Sequence, residues 1–266
     1  MARLFQAAEA TRAGKPTPQC RLESPRHNWR FEITTSDTEK KLRAQIAALR
    51  EITRAISAAY SLEQILALIT RKTAHVMHAD SCSIYLLDDG EKFLVLKATT
   101  GLATEAVGHA RLKIGEGLTG HAAKTGKPVA ASQASRDPHF KYLPETKERM
   151  FQSLLAVPLI ARGKIIGALN IQTREGRAYP PDEIELLSII ADVAAGELEK
   201  AMLYEEIGGL KEALETRKLV ERAKGFLMKR YAITEPEAFA RIQLQARNAR
   251  KSMREIAEAI ILVEEV

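Results

Sequence analysis

The hydrophobic period of this chain changes twice, and any fold it adopts must accommodate both changes. Apolar residues recur every three or four positions up to about residue 78, gather into short strand-like runs from Ala79 to Gln172, and return to helical spacing after Pro180. The runs are Ser83-Ile84-Tyr85-Leu86-Leu87, Phe93 to Ala98, Leu154 to Ile160 and Ile165 to Ile171. Asp88-Asp89-Gly90, Thr100-Gly101 and Arg162-Gly163-Lys164 bound them, the last reading as a hairpin turn. Ile114 to Ala123 is a glycine-rich loop running into a short helix, and residues 132–149 are polar and irregular. Helix, two strands, loop and helix, irregular loop, hairpin and long helix predict an α+β domain whose central antiparallel sheet is flanked by helices.

The segments outside the sheet are simpler. Residues 1–36, with Gly14, Pro16, Pro18, Pro25 and many charges, read as a flexible tail. Residues 37–60 carry Leu42, Ile46, Leu49, Thr53, Ile56 and Tyr60 at alternating steps of four and three, a coiled-coil seam that wants a partner helix. Ser61 with Gln64 is a capping box opening a further helix, with Ile65, Leu68, Ile69 and Val76 on its buried side. No stretch approaches the ~18 uncharged apolar residues of a spanning helix, and charges interrupt the N-terminus where a signal core would lie. Two cysteines, Cys20 and Cys82, make neither a disulfide framework nor a zinc spacing, so a cytoplasmic, reducing location is expected.

Ala79-Asp80-Ser81-Cys82-Ser83-Ile84-Tyr85-Leu86-Leu87-Asp88, Thr99-Thr100-Gly101-Leu102, Ile114-Gly115-Glu116-Gly117-Leu118-Thr119-Gly120, and Leu155 to Ile160 leading to Ile165-Ile166-Gly167-Ala168-Leu169 closely resemble a GAF domain, here residues 61–200. The resemblance implies a small-molecule ligand held between the sheet and the loops 101–125 and 132–150; the alternative is that the glycines only shape turns in a dimerisation scaffold. No ligand or cofactor is named by these residues. Cys82 sits among apolar neighbours and reads as an inert buried thiol rather than a redox switch. His109, His121 and His139 match no metal spacing. Asp88-Asp89 reads as turn chemistry with Gly90 rather than a phospho-acceptor cluster.

Residues 201–266 read as a helical linker followed by an all-α three-helix bundle. Its apolar stripes are Leu219, Ala223, Phe226 and Leu227; then Ala238, Phe239, Ile242 and Ala246; then Ile256, Ala259, Ile260 and Val263. Met228, Phe239 and Ile242 are expected in its core. Capping boxes at Thr234-Glu235-Pro236-Glu237 and Ser252-Met253-Arg254-Glu255 open the second and third helices. Between Arg222 and Arg254 nine bases face two acids, Glu235 and Glu237, a local excess of +7 against +6 for the whole chain. Such a concentration is either a solvated helical face or the footprint of a polyanion partner.

Val220-Glu221-Arg222-Ala223-Lys224-Gly225-Phe226-Leu227-Met228, Glu237-Ala238-Phe239 and Ser252-Met253-Arg254-Glu255-Ile256-Ala257 resemble the ANTAR domain of transcription antiterminators, over about residues 206–264. That resemblance implies binding of paired hairpins in leader mRNA. The expected RNA-binding residues are Ala223, Lys224, Gly225, Tyr231, Arg241, Arg247, Arg250, Lys251 and Arg254. Ala223 and Gly225 would permit close approach or serve packing, Lys224 would meet phosphate or a loop base, and Tyr231 would stack on a base or cap the bundle. The seams at 42–60 and 184–214 point to a parallel homodimer, with a register shift before Gly208-Gly209 through which a bound ligand would act on the output. The competing possibility is a DNA-binding regulator with a helix-turn-helix C-terminus. A reductase built on the sensor fold lacks a cysteine pair, and no other nucleophile–base constellation appears, so no enzymatic activity is expected.

Overall fold

The computed structural model describes residues 43, 45–47, 49–50, 52–54, 61–88 and 90–264. The expected tail and most of the first seam lie outside them. Six strands form one sheet in the order β3-β2-β1-β6-β5-β4, with every neighbouring pair antiparallel. The strands are β1 Ser81–Leu87, β2 Phe93–Thr100, β3 Arg111–Lys113, β4 Val129–Ala131, β5 Ser153–Ala161 and β6 Lys164–Thr173. The four longer ones are the four apolar runs. The three-residue edge strands β3 and β4 are too short to leave a period in the sequence.

Side-chain alternation gives the sheet two different faces. Cys82, Ile84 and Leu86 of β1, Leu155, Val157 and Leu159 of β5, and Leu169 and Ile171 of β6 point toward helix α1, Leu62–Val76, and the first half of helix α3, Pro181–Tyr231. Leu187, Ile190, Ala194 and Leu198 of α3 are fully buried there, as are Ile69 of α1 and Ile52 upstream. Each such aliphatic side chain contributes about 1.5–3 kcal/mol on burial. Ser61 opens α1 as expected, its Oγ accepting from the Gln64 N–H at 3.2 Å. The opposite face lies under helix α2, Gly117–Thr125, and the loops between β2 and β5. Two glycines hold this sheet together. Arg162 and Gly163 both have positive φ, +49 and +77, the two-residue turn that suits a twisted hairpin. At Gly167 a Cβ would collide with the Tyr85 carbonyl oxygen of β1, so only glycine allows that strand pair to close.

α3 runs for 51 residues without interruption. Gly208-Gly209, just past the expected register shift, keep helical backbone, and neither has a positive φ. An interior glycine costs a helix only about 1 kcal/mol relative to alanine, and Glu205, Glu206, Lys211, Glu212, Ala213 and Leu214 around the pair are good helix formers. The second seam is therefore divided. Its 184–198 portion is consumed by packing on the sheet, while Leu203, Ile207, Leu210 and Leu214 remain exposed at 39–64%.

The last turns of α3 pack with α4, Glu235–Ala249, and α5, Met253–Glu264. Val220, Ala223, Leu227, Ala238, Ile242, Ala246, Ile256, Ala257 and Ile261 are the buried residues of this three-helix unit. Both capping boxes form: the Glu237 carboxylate accepts from Thr234 N at 2.7 Å, and the Glu255 carboxylate from Ser252 N at 2.8 Å. Two residues expected in the core are outside it, Phe239 at 43% and Met228 at 36% exposure. Ala238, Ile242 and Ala246, four residues apart, define the buried stripe, and Phe239 is rotated about 100° from Ala238.

Candidate functional site

Two places carry chemistry, one on the loop face of the sheet and one on the three-helix unit. The first is a small cavity of about 20 Å³ bordered by Tyr85, Thr119, Phe140, Lys141, Glu148 and Asn170 among others. That volume admits about one water. β6 supplies Asn170 and Gln172 to this face because they alternate with Leu169 and Ile171, which face the helices. Asn170 Nδ2 donates to Thr119 Oγ1 at 2.7 Å, and Gln172 Nε2 donates to Glu148 Oε2 at 2.9 Å. Glu148 reaches the sheet from the irregular segment, where the Leu143 N–H donates to its other oxygen at 3.3 Å. Its side chain is buried, and burial raises its pKa above the ordinary carboxylate value despite the Gln172 and Leu143 hydrogen bonds. The Tyr85 hydroxyl is likewise pushed up, first by burial and then by the charge of Glu148.

Around the cavity mouth the charges are settled otherwise. Glu116, just ahead of α2, accepts from Lys113 N at 3.0 Å and holds the Lys141 ammonium at 3.3 Å. Those contacts, the backbone one foremost, lower its pKa. His121 and His139 lie with ring centroids 4.6 Å apart, and His139 Nδ1 is 3.2 Å from Asp137 Oδ1. Among the described residues no group of three or more His, Cys, Asp or Glu is placed to hold a metal ion. Cys82 is fully buried and its thiol pKa is raised by desolvation, the condition of an unreactive cysteine.

On the three-helix unit the cations fall into two kinds. Lys229, Arg247, Arg250 and Lys251 are exposed, and no ion pair engages them among the described residues. Arg241 lies over the Tyr231 ring at 4.0 Å to the centroid, and Tyr231 is itself 45% exposed. Arg254 differs: its Nε donates to Glu258 at 2.9 Å, and its raised pKa reflects Glu258 first and Glu212 and Glu215 of α3 further off.

Against known families, residues 61–198 match the GAF domain and residues 209–261 the ANTAR domain. This chain belongs to the GAF family and carries an ANTAR domain. The solved structure of the GAF domain from a phosphoenolpyruvate-protein phosphotransferase of Coxiella burnetii is 33% identical, with a TM-score of 0.58, covering 62% of this chain and 98% of that one. The phosphoenolpyruvate-dependent phosphotransferase system protein of Escherichia coli is 30% identical over 158 residues, 59% of this chain. The ANTAR segment is 50% identical over 56 residues, 21% of this chain, to the transcriptional regulatory protein PdtaR of Mycobacterium tuberculosis. This chain spans 21% of the former protein's length and 27% of the latter's. Among the described residues no helix is long and apolar enough to cross a membrane.

The ANTAR unit sorts the expected RNA-binding residues by position. Tyr231, Arg241, Arg247, Arg250 and Lys251 stand on its surface, and Gly225 is exposed with open space where a Cβ would sit. Ala223 is fully buried between the three helices, so of its two expected roles packing is the one it performs here. Lys224 departs furthest from expectation. Its side chain is only 7% exposed, and its ammonium lies 2.8 Å from Glu221 and 2.6 Å from Glu235 at the start of α4, rather than free for phosphate. These hydrogen bonds, Glu221 before Glu235, raise its pKa. In the GAF unit, reading the sequence missed Glu148, because a carboxylate in a polar irregular segment carries no mark of burial. Asn170 and Gln172 were visible as polar residues two apart at the end of an apolar strand, a pattern that marks one face as polar.

Proposed function

We propose that this chain is a cytoplasmic, signal-responsive transcription antitermination regulator in which the GAF unit senses a small molecule and the ANTAR unit binds paired hairpins in leader mRNA. The observation that carries this is the exposed Tyr231–Arg241 stack, 4.0 Å from guanidinium to ring centroid, on a unit that also exposes Arg247, Arg250 and Lys251. Unpaired loop bases are held by stacking on aromatic and guanidinium planes, and neighbouring cations neutralise phosphates. Lys224 acts in this scheme by tying α3 to α4, so that it positions Tyr231 and Arg241 instead of contacting RNA. The exposed Leu203, Ile207, Leu210 and Leu214, spaced four, three and four apart, form the seam through which two copies pair and present two ANTAR units to two hairpins.

A DNA-binding reading keeps one observation in its favour: only Arg250, Lys251 and Ser252 separate α4 from α5, with Arg250 in the left-handed region at φ +53. A turn of three to four residues is the joint of a helix-turn-helix. Binding of the full chain to a two-hairpin leader RNA and to the matching duplex DNA across a salt series decides between them. RNA selectivity that weakens with salt and with Tyr231→Ala upholds antitermination; equal or tighter DNA binding removes it. A protein that stays monomeric at high concentration and binds the two-hairpin RNA undiminished removes the pairing.

A further inference from the structure

Unpartnered polar atoms are concentrated on one face of the sheet. Four buried side-chain polar atoms lack a hydrogen-bond partner among the described residues, and three of them are Ser81 Oγ, Asn170 Oδ1 and Gln172 Oε1. Ser81 and Gln172 are direct cross-strand partners, and Asn170 follows two residues earlier on the same face of β6. All three residues are at most 3% exposed. A buried polar atom without a partner costs about 1–3 kcal/mol, so three together on a face that also buries Glu148 are a standing deficit that a bound molecule removes. The fourth atom, Thr73 Oγ1, belongs to α1 on the other side of the sheet.

For the two amides the missing groups are donors, and the Ser81 hydroxyl can both donate and accept. Asn170 and Gln172 have used their N–H groups on Thr119 and Glu148 and are left with carbonyl oxygens. Asn170 and the Glu148 carboxylate border the cavity and Gln172 adjoins it through its hydrogen bond to Glu148, while the one cation bordering it among the described residues, Lys141, already has its ammonium on Glu116. We propose that the GAF cavity takes a small molecule bearing several N–H donors, of the amine, amidinium or guanidinium class, with the Glu148 carboxylate opposite its charge and the Asn170 and Gln172 carbonyls accepting its protons. This rests on the sensor reading of the GAF unit and gives its ligand a chemical class. Because the cavity holds about 20 Å³, entry displaces the covering segment that carries Phe140, Lys141, Leu143 and Glu148. The ligand thus exchanges Glu148's contacts with Gln172 and Leu143 for its own.

The test uses the full chain and a matched pair of planar ions: guanidinium, which only donates, and acetate, which only accepts, each against sodium chloride of equal ionic strength. The side-chain amide signals of Asn170 and Gln172 are followed by ¹⁵N NMR, and RNA affinity is measured in parallel. Guanidinium is expected to shift both signals saturably in the millimolar range and acetate to leave them in place. Glu148→Gln, isosteric but uncharged, is expected to weaken guanidinium by at least about tenfold, since a hydrogen bond to a charged group is worth more than a neutral one. Should that variant fail to fold, Asn170→Ala serves, with the Gln172 signal as reporter and the same direction expected. Saturation by acetate in place of guanidinium overturns the donor class while leaving a sensor pocket. Guanidinium shifts unaltered by Glu148→Gln, or no saturable shift with either ion, also overturn the proposal. Saturation by guanidinium with RNA affinity unchanged keeps the site and refutes the sensing role alone.

Discussion

The GAF and ANTAR units solve opposite problems with helices from the same long element. The GAF unit uses the first half of α3 to cover a sheet face made of fully buried aliphatics, and closes its other face over polar groups down to a cavity of about 20 Å³. The ANTAR unit uses the last turns of α3 in an apolar core of nine buried residues, four of them alanine, and leaves Tyr231, Phe239 and most of its cations outside. One holds its polar groups inside and, on the sensor reading proposed above, must open to use them. The other displays its chemistry and needs only to keep it aligned. Stability and function are thus coupled differently: a cavity in the GAF core threatens the fold first, whereas a surface change on the ANTAR unit alters binding with the fold intact.

The largest effects probe that contrast through the cores. Leu169→Ala and Ile242→Ala each remove a fully buried aliphatic, at a cost of about 2–5 kcal/mol. If the units are separate cores, calorimetry will show Leu169→Ala lowering one transition and Ile242→Ala another; a single transition lowered by both would break the comparison and make α3 one cooperative unit. Gly167→Ala comes next. Its Cβ must push β6 away from the Tyr85 carbonyl, and overpacking of this kind costs about 1–3 kcal/mol, seen as a lower denaturation midpoint with the ANTAR transition unmoved. Tyr231→Ala should cost about 1–3 kcal/mol of RNA affinity per base it stacks, measured by filter binding, with the melting temperature unchanged.

The smallest effect concerns pH. Burial raises the Glu148 pKa, so the folded state favours its neutral form. Its contribution to stability is complete below about pH 4.5, the ordinary value, and is lost as pH rises through the raised folded-state value. Glu148→Gln should flatten the stability profile over that window, raising the neutral-pH melting temperature relative to the acidic one. An unchanged profile would mean that the carboxylate is solvated, and the interior of the GAF unit less closed than the geometry indicates.

Legibility in the sequence followed the range of the interactions. The four long strands, the Arg162-Gly163 turn, the Ser61 N-cap and the capping boxes at Thr234 and Ser252 depend on residues within a few positions of one another, and all are present. The failures involve partners further off. Lys224 reads as a free base because its burial depends on Glu235, which lies eleven residues away and reaches it only across the α3–α4 turn; the neighbouring Glu221, three residues upstream, was not weighed as its partner. Glu148 reads as solvated because its burial depends on Gln172, 24 residues on. Phe239 was counted into a stripe that Ala238 already fills, and apolar character alone does not fix the angle at which a side chain leaves its helix.

The continuous backbone of α3 also makes the number of residues between the two units a mechanical quantity. At 3.6 residues per turn, each residue added or removed between Met202 and Gly209 turns the ANTAR unit by about 100° about the helix axis and moves it by about 1.5 Å. A single deletion would swing the Tyr231–Arg241 face more than a quarter-turn while leaving every contact within each unit untouched. An insertion of seven residues would bring it back to within about 20° and lengthen the spacing by roughly 10 Å. Length in this segment therefore acts as an angular gauge, and chains of this design can drift in their linker sequence far more freely than in their linker count.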